Sequence, residues 1–155
     1  MVVSSINIRE YREADWTRVE AIHDAARPME LKNAHLEAAF VPLKQAAVNE
    51  GLFEYEVRVA EIDGEVCGFV AYMEEELAWL YVDPAQMRRG VGRALVQYVL
   101  DHTRTRPLNI EVLAGNTPAL KLYEAMGFHT VKVLSGKMPG KESFQVTVHC
   151  MQRAQ

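Results

Sequence analysis

The apolar positions of the chain follow two rhythms, and their order predicts its elements. Ile6 to Arg9 reads as a short strand. From about Asp15 to Arg27, Trp16, Val19, Ile22 and Ala26 recur at the spacing of one helix face, and Pro28 is expected to close that helix. Helical character resumes from Leu31 to Asn49, with a break expected at Pro42, which cannot donate the internal hydrogen bond, and an end at Gly51. Two strands, Tyr55 to Ile62 and Glu65 to Glu74, flank Asp63-Gly64, a dipeptide suited to a two-residue hairpin turn. Glu76 to Val82 reads as another strand, closed by Asp83-Pro84, and Gly90 to Thr105 as a helix with Val91, Leu95, Tyr98 and His102 on one face. Leu108 to Leu113 alternates as a strand, and Pro118 to Met126 is a helix with proline at its start and Gly127 just past its end. Phe128 to Leu134 and Ser143 to Gln152 complete the strands.

The order βααβββαβαββ predicts an α/β protein: a single domain over residues 1–155 with a mixed, mostly antiparallel sheet flanked by helices on both faces. A length of 155 residues, 49% apolar and 25% charged, suits one domain that buries its own core. No apolar run approaches the roughly 18 residues that cross a bilayer, so no membrane partner is expected. Met1 to Glu10 lacks the pattern of a secretory signal, and only Cys67 and Cys150 could pair, so a reducing cytoplasm is the expected location. His23, His35, His102, His129 and His149 form no cluster at metal-ligand spacing, and no metal is expected.

A net charge of −4 argues against a nucleic-acid partner. Its distribution is uneven: residues 1–83 carry 7 basic and 17 acidic side chains, residues 84–155 carry 10 and 4. Either an anionic ligand sits with the second half and a cationic one with the first, or folding mixes both halves on one surface.

The strongest local feature is Arg88-Arg89-Gly90-Val91-Gly92-Arg93-Ala94, between a strand and a helix. The first amides of a helix have no internal partner, the helix dipole is positive there, and glycine lets an anion approach the backbone. A dinucleotide fingerprint fails because its third glycine position is Leu95; a P-loop fails because Gly136-Lys137 precedes Met138 and Gly140-Lys141 precedes Glu142. A second motif follows, Asn116-Thr117-Pro118-Ala119-Leu120-Lys121-Leu122-Tyr123-Glu124-Ala125-Met126-Gly127-Phe128.

Together the two motifs resemble the GNAT superfamily of acetyl-CoA-dependent N-acetyltransferases, whose phosphate loop reads Q/R-x-x-G-x-G/A and whose later segment reads N-x-x-A-x-x-x-Y-x-x-x-G-F. Asn116, Ala119, Tyr123, Gly127 and Phe128 match the second at every fixed position; in the first, Met87 stands where Gln or Arg is usual and Gln86 lies one residue early. The resemblance implies the GNAT fold, acetyl-CoA as co-substrate, and direct attack on the thioester by a primary amine of a small molecule, peptide or protein. It also admits another acyl-CoA, a CoA-binding module without turnover, and pairing as a homodimer.

The resemblance carries roles onto particular residues. Arg88, Arg89, Gly90, Val91, Gly92, Arg93 and Ala94 would hold the diphosphate. Leu80, Tyr81 and Val82 would align backbone groups with the pantetheine arm through a splaying of strands near Pro84, and Asn116 would bond to the same arm unless it is simply a helix cap. Keeping a lysine-like amine of pKa about 10.4 neutral at pH 7 costs about 4.6 kcal/mol, so a base or desolvating pocket is required. Glu76, 14 positions before Gly90, matches the strand glutamate that histone-type relatives use, and Glu111 on the next strand is the alternative. The departing thiolate benefits from a proton donor, for which Tyr123 is the candidate.

Overall fold

The structure is a computed structural model describing residues 5–155. Residues 1–4, part of the stretch read for a secretory signal, lie outside the described residues. The strands are β1 (Ile6–Glu10), β2 (Glu56–Ile62), β3 (Glu65–Met73), β4 (Glu76–Val82), β5 (Leu108–Leu113), β6 (His129–Met138) and β7 (Lys141–Arg153), and the helices are α1 (Trp16–Asn33), α2 (Leu43–Asn49), α3 (Val91–His102) and α4 (Thr117–Ala125). The strands form one sheet in the order β1-β2-β3-β4-β5-β7-β6, antiparallel throughout except between β4 and β5. Fold class and element order agree with the sequence reading. No helix among the described residues is long and apolar enough to cross a membrane.

Each face of the sheet buries its own apolar set. On one, Val91, Leu95, Val96 and Val99 of α3 and Tyr123 of α4 pack on Val70, Leu108, Ile110 and Val112. On the other, Val19 and Ile22 of α1 and Leu43, Ala46 and Ala47 of α2 pack on Val57, Val59, Phe69 and Trp79. Helices on both faces follow from strands β3 and β4 carrying apolar residues on both sides.

Several boundaries differ from expectation. Helix α1 runs through Pro28 to Asn33. An internal proline costs about 3 kcal/mol, but Leu31, fully buried against Ala39, Leu113 and Met138, recovers comparable free energy by packing. The second helix does not begin at Leu31: Leu31 to Asn33 finish α1, residues 34–42 hold only a short 3-10 turn at Glu37–Ala39, and α2 starts at Leu43, immediately after Pro42. Helix α3 stops at His102: the Thr103 hydroxyl donates to the Val99 carbonyl at 2.7 Å, and the Glu74 carboxylate accepts the amides of Arg104 and Thr105. Strands β6 and β7 extend further toward each other than expected, down to the Met138–Lys141 pair. Phe128 precedes β6, buried beside Tyr123 with ring centres 5.7 Å apart and its amide bonded to the Tyr123 carbonyl.

The decisive irregularity is in β4. Tyr72 pairs with Leu77 but Ala71 pairs with Trp79, so Ala78 is an extra residue opposite β3. Such a bulge bends a strand and resets which side chains face which side. Leu77 lies in the α3–α4 core and Trp79 in the α1–α2 core, although both are odd-numbered neighbours on one strand. Beyond this point β4 leaves its parallel partner: the only β4–β5 register pair is Glu76 with Asn109.

One buried ion pair fastens β1 to the start of α1. Arg9 donates from both terminal nitrogens to Asp15, each at 2.9 Å, and Asp15 also accepts the Arg12 amide at 2.8 Å. The Arg9 guanidinium holds the Asp15 carboxyl below the usual carboxylate range. Replacing Asp15 by Ala leaves the two terminal nitrogens of Arg9 without their carboxylate, with Glu61 still on Nε at 3.0 Å, and is expected to destabilise the protein by about 1–3 kcal/mol. Chemical denaturation would check this, and a loss under about 0.5 kcal/mol, the scale of an ordinary surface substitution, would contradict it.

Candidate functional site

The gap between the diverging strands opens a cleft of about 520 Å3 that passes through the sheet. Its walls include Leu80 and Tyr81 of β4, Glu111 of β5, and Asn116 and Tyr123 from the second motif. Helix α1 contributes His23, Arg27 and Glu30, and α2 is followed by Glu50. Because each strand is paired only on its outer side beyond Glu76 and Asn109, the inner edges of β4 and β5 present backbone groups without a sheet partner. An extended, amide-bearing ligand can complete such edges.

Glycine plays two different parts in the loop before α3. Gly90 adopts φ +82°, and a Cβ built there would meet nothing within 4 Å, so this position supplies backbone conformation and an open approach. The first helical bond, from the Ala94 amide to the Gly90 carbonyl at 3.0 Å, leaves the amides of Val91, Gly92 and Arg93 outside the helix's own bonding. The α-carbon of Gly92 serves packing as well, since a Cβ there would lie 3.3 Å from Leu122 and 3.7 Å from Val82. Arg88 and Arg89 are exposed, and Arg89 donates to Gln86 at 2.6 Å. Arg88 to Ala94 and Val82 do not line the cleft itself; they adjoin it where Gly92 rests on Leu122. Gly68 on β3 escaped the sequence reading: a Cβ there would meet Val91 at 2.9 Å, so its absence lets α3 seat against the sheet.

Tyr123 is 4% exposed and borders the cleft. Burial, reinforced by Glu30 and by Tyr81, raises its pKa far above the usual tyrosine range, so it keeps its proton at any physiological pH. Tyr81 is raised in the same way, by burial first and then by Glu30. Arg27 bonds to Glu30 at 3.1 Å; burial opposes its charge, but Tyr81, Glu30 and Glu50 outweigh that and raise its pKa. Burial pushes the carboxyls of Glu30 and Glu50 up, against the pull of Arg27. Asn116 caps α4 by accepting the Ala119 amide at 3.4 Å, and its side chain also borders the cleft.

The three consecutive glutamates divide their work. Glu74 anchors the segment after α3, the Glu75 carbonyl accepts both the backbone and side-chain nitrogens of Asn109, and Glu76 accepts the Tyr55 hydroxyl at 3.0 Å. Glu76 therefore sits where β4 and β5 still touch, in a smaller recess of about 260 Å3 shared with Glu111, Lys132 and Cys150. Glu111 borders both spaces, whereas Glu76 is not in the wall of the large one. Among the described residues no group of His, Cys, Asp and Glu is arranged to hold a metal ion.

A family model described as acetyltransferase (GNAT) domain matches residues 53–130. The peptidyl-lysine N-acetyltransferase YiaC of Escherichia coli (strain K12) is 47% identical over 74 residues, 47% of this chain and 49% of that protein, so the match spans about half the length of each. Among solved structures, a GCN5-related N-acetyltransferase from Rhodopseudomonas palustris superposes with a TM-score of 0.78 at 20% identity, covering 100% of this chain and 99% of that one. The protein yncA from Salmonella typhimurium, solved with its cofactor acetyl-CoA, gives a TM-score of 0.67 at 20% identity over 96% of this chain and 93% of that one.

The packing of Gly92 yields a test of the frame that joins loop and cleft. Gly92→Val forces two methyl groups toward Leu122 and Val82 and is expected to cost about 1–3 kcal/mol by overpacking. Gly90→Ala meets no atom and carries only the cost of its positive φ, about 1 kcal/mol. Thermal unfolding of both variants checks the order; equal destabilisation would contradict the division of roles.

Proposed function

The chain belongs to the acetyltransferase (GNAT) domain family, and from that premise we propose that it transfers an acetyl group from acetyl-CoA to a primary amine by direct attack within a ternary complex. The observation that carries this reading is the cleft through the sheet, which has Tyr123 in its wall and the exposed α3 amides beside its mouth. Acetyl-CoA supplies the activated thioester and its diphosphate. The amides of Val91, Gly92 and Arg93, with Arg88 and Arg89 nearby, offer that diphosphate partners and positive charge. The inner edges of β4 and β5, including Leu80, Tyr81 and Val82, offer backbone partners to the arm, and Asn116 adds a side chain.

The acceptor side of the cleft is acidic. Glu30, Glu50 and Glu111 border it against Arg27 and Lys137, an acidic excess that favours a cationic amine. Protein and peptide amines suit the reading, since YiaC is described as acting on peptidyl-lysine. Direct attack is supported by the cysteines: Cys67 is buried in the core and Cys150 borders only the smaller recess, so neither thiol is in the large cleft to accept the acetyl group first. During transfer a C–N bond forms and the C–S bond breaks, and Tyr123 gives the departing sulfur its proton. Glu76 is the carboxylate that the family resemblance favours as base, and Glu111 is the one that reaches both spaces.

Thiol release from acetyl-CoA, measured with lysine peptides, amino-terminal peptides, polyamines and small amines, tests the activity. A module that binds acetyl-CoA without releasing thiol for any acceptor would overturn it. Tyr123→Phe is expected to lower kcat by about 10²-fold or more while leaving acetyl-CoA affinity within about threefold; unchanged turnover would remove the donor role. Gly90→Asp places bulk and negative charge at the diphosphate position and is expected to abolish acetyl-CoA binding in calorimetry. Glu76→Gln and Glu111→Gln, compared in the same assay, identify the carboxylate on which turnover depends.

A further inference from the structure

The cleft holds a buried nitrogen base that the transfer described above does not use. His23 is 2% exposed yet forms part of the cleft wall. Its Nδ1 lies 2.9 Å from Asp24 Oδ1, and the same oxygen accepts the Leu43 amide at 2.9 Å, so the carboxylate is held from both α1 and α2. An ionised carboxylate can only accept, which places the imidazole proton on Nδ1 and leaves the lone pair on Nε2. Nε2 has no hydrogen-bond partner among the described residues, and since no buried side-chain nitrogen there goes unpartnered, this atom is not sealed from open space. The ring is wedged by Phe40, Trp79 and Tyr81, the last edge-on with centres 4.8 Å apart. Tyr81 in turn lies close enough to Tyr123 to influence its ionisation, so His23, Tyr81 and Tyr123 follow one another along the cleft.

We propose that His23, oriented by Asp24, rather than Glu76 or Glu111, accepts the first proton from the ammonium of the acceptor, a role that rests on the acetyl-transfer reading. An aspartate holding one imidazole nitrogen so that the other acts as base is a recurrent catalytic arrangement. The charged and titratable groups around His23 are Asp24 and Arg27 on its own helix and Tyr81 on β4; Glu30 and Glu50 share the cleft, and the residues of α2 that pack on α1 are apolar. Burial lowers the His23 pKa, Asp24 opposes and Arg27 assists, so the ring is neutral and able to accept a proton at pH 7. The protons balance. One leaves the ammonium for Nε2 and then passes to solvent. The second leaves nitrogen as the C–N bond forms, and it replaces the proton that Tyr123 gives to sulfur.

The test combines kinetics with a measurement on the unmodified protein. The kcat/KM profile for an amine acceptor is expected to fall on the acid side as His23 becomes protonated. In His23→Gln the value at pH 7 is expected to drop by about 10²-fold and to climb by about tenfold per pH unit toward the amine pKa. Added imidazole is expected to restore part of the rate to His23→Ala, which a merely structural role would not allow. Nitrogen NMR of the wild-type protein at pH 7 is expected to show neutral His23 protonated on Nδ1. A proton on Nε2, or a ring already charged at pH 7, overturns the proposal even if the variants fail to fold. So does an active His23→Gln with an unaltered pH profile, and in that case acetyl transfer itself stands. Absence of thiol release from the wild-type protein with every amine overturns both.

Discussion

One extra residue in β4 governs what this protein can do. Ala78 has no partner position on β3, and the bend it introduces coincides with the loss of pairing between β4 and β5 after Glu76 and Asn109. A regular parallel pair would have used its inner backbone groups on itself and sealed the sheet. The bulge instead converts two central strands into two facing edges in the middle of a folded domain. Edges of this kind readily recruit another chain; here they are flanked by helices on both faces, so a thin, extended ligand fits better than another strand.

The same bulge decides which side chains meet. Trp79 and Tyr81 turn toward α1 and α2, where His23, Arg27 and Glu30 lie, while Leu80 and Val82 pack with α3 and α4. Tyr123 reaches the cleft from the opposite face, so the two sides of the sheet contribute different chemistry to one space. The cleft draws charge from both halves of the chain: the first supplies Glu30, Glu50 and Arg27 and the second Glu111 and Lys137, while Arg88, Arg89 and Arg93 stand beside the glycine loop.

Burial acts on the cleft residues in two ways. Tyrosines 81 and 123 are forced to keep their protons, because an ionised phenol would lose its solvation and face Glu30. His23 is pushed the other way, toward neutrality, by the same loss of solvation. A space that holds its phenols protonated and its imidazole unprotonated suits proton movement from an amine toward a departing sulfur.

Local chemistry made part of this legible in advance. Asp63 and Gly64 both adopt positive φ in the expected hairpin turn, the second motif forms the strand-to-helix turn capped by Asn116, and the glycine loop opens α3. These features depend on neighbours within a few residues, which is the range over which a sequence pattern speaks directly. Pro28 misled because its local cost is outweighed by Leu31 burying against residues as distant as Leu113 and Met138. The bulge at Ala78 was invisible because β4 carries apolar residues on both faces, so a slip of one position leaves no break in the hydropathy pattern. Gly92, read as a phosphate contact, also has a packing role that no local pattern shows, since only the meeting of α3 with Leu122 and Val82 reveals how little room it has. The sequence by itself thus determined the family, the element order and the residues available for chemistry. Tertiary structure alone decided that Tyr123, Glu111 and the His23–Asp24 pair border one cleft while Glu76 lies in a recess beside it, because such neighbourhoods arise from packing between elements far apart in the chain.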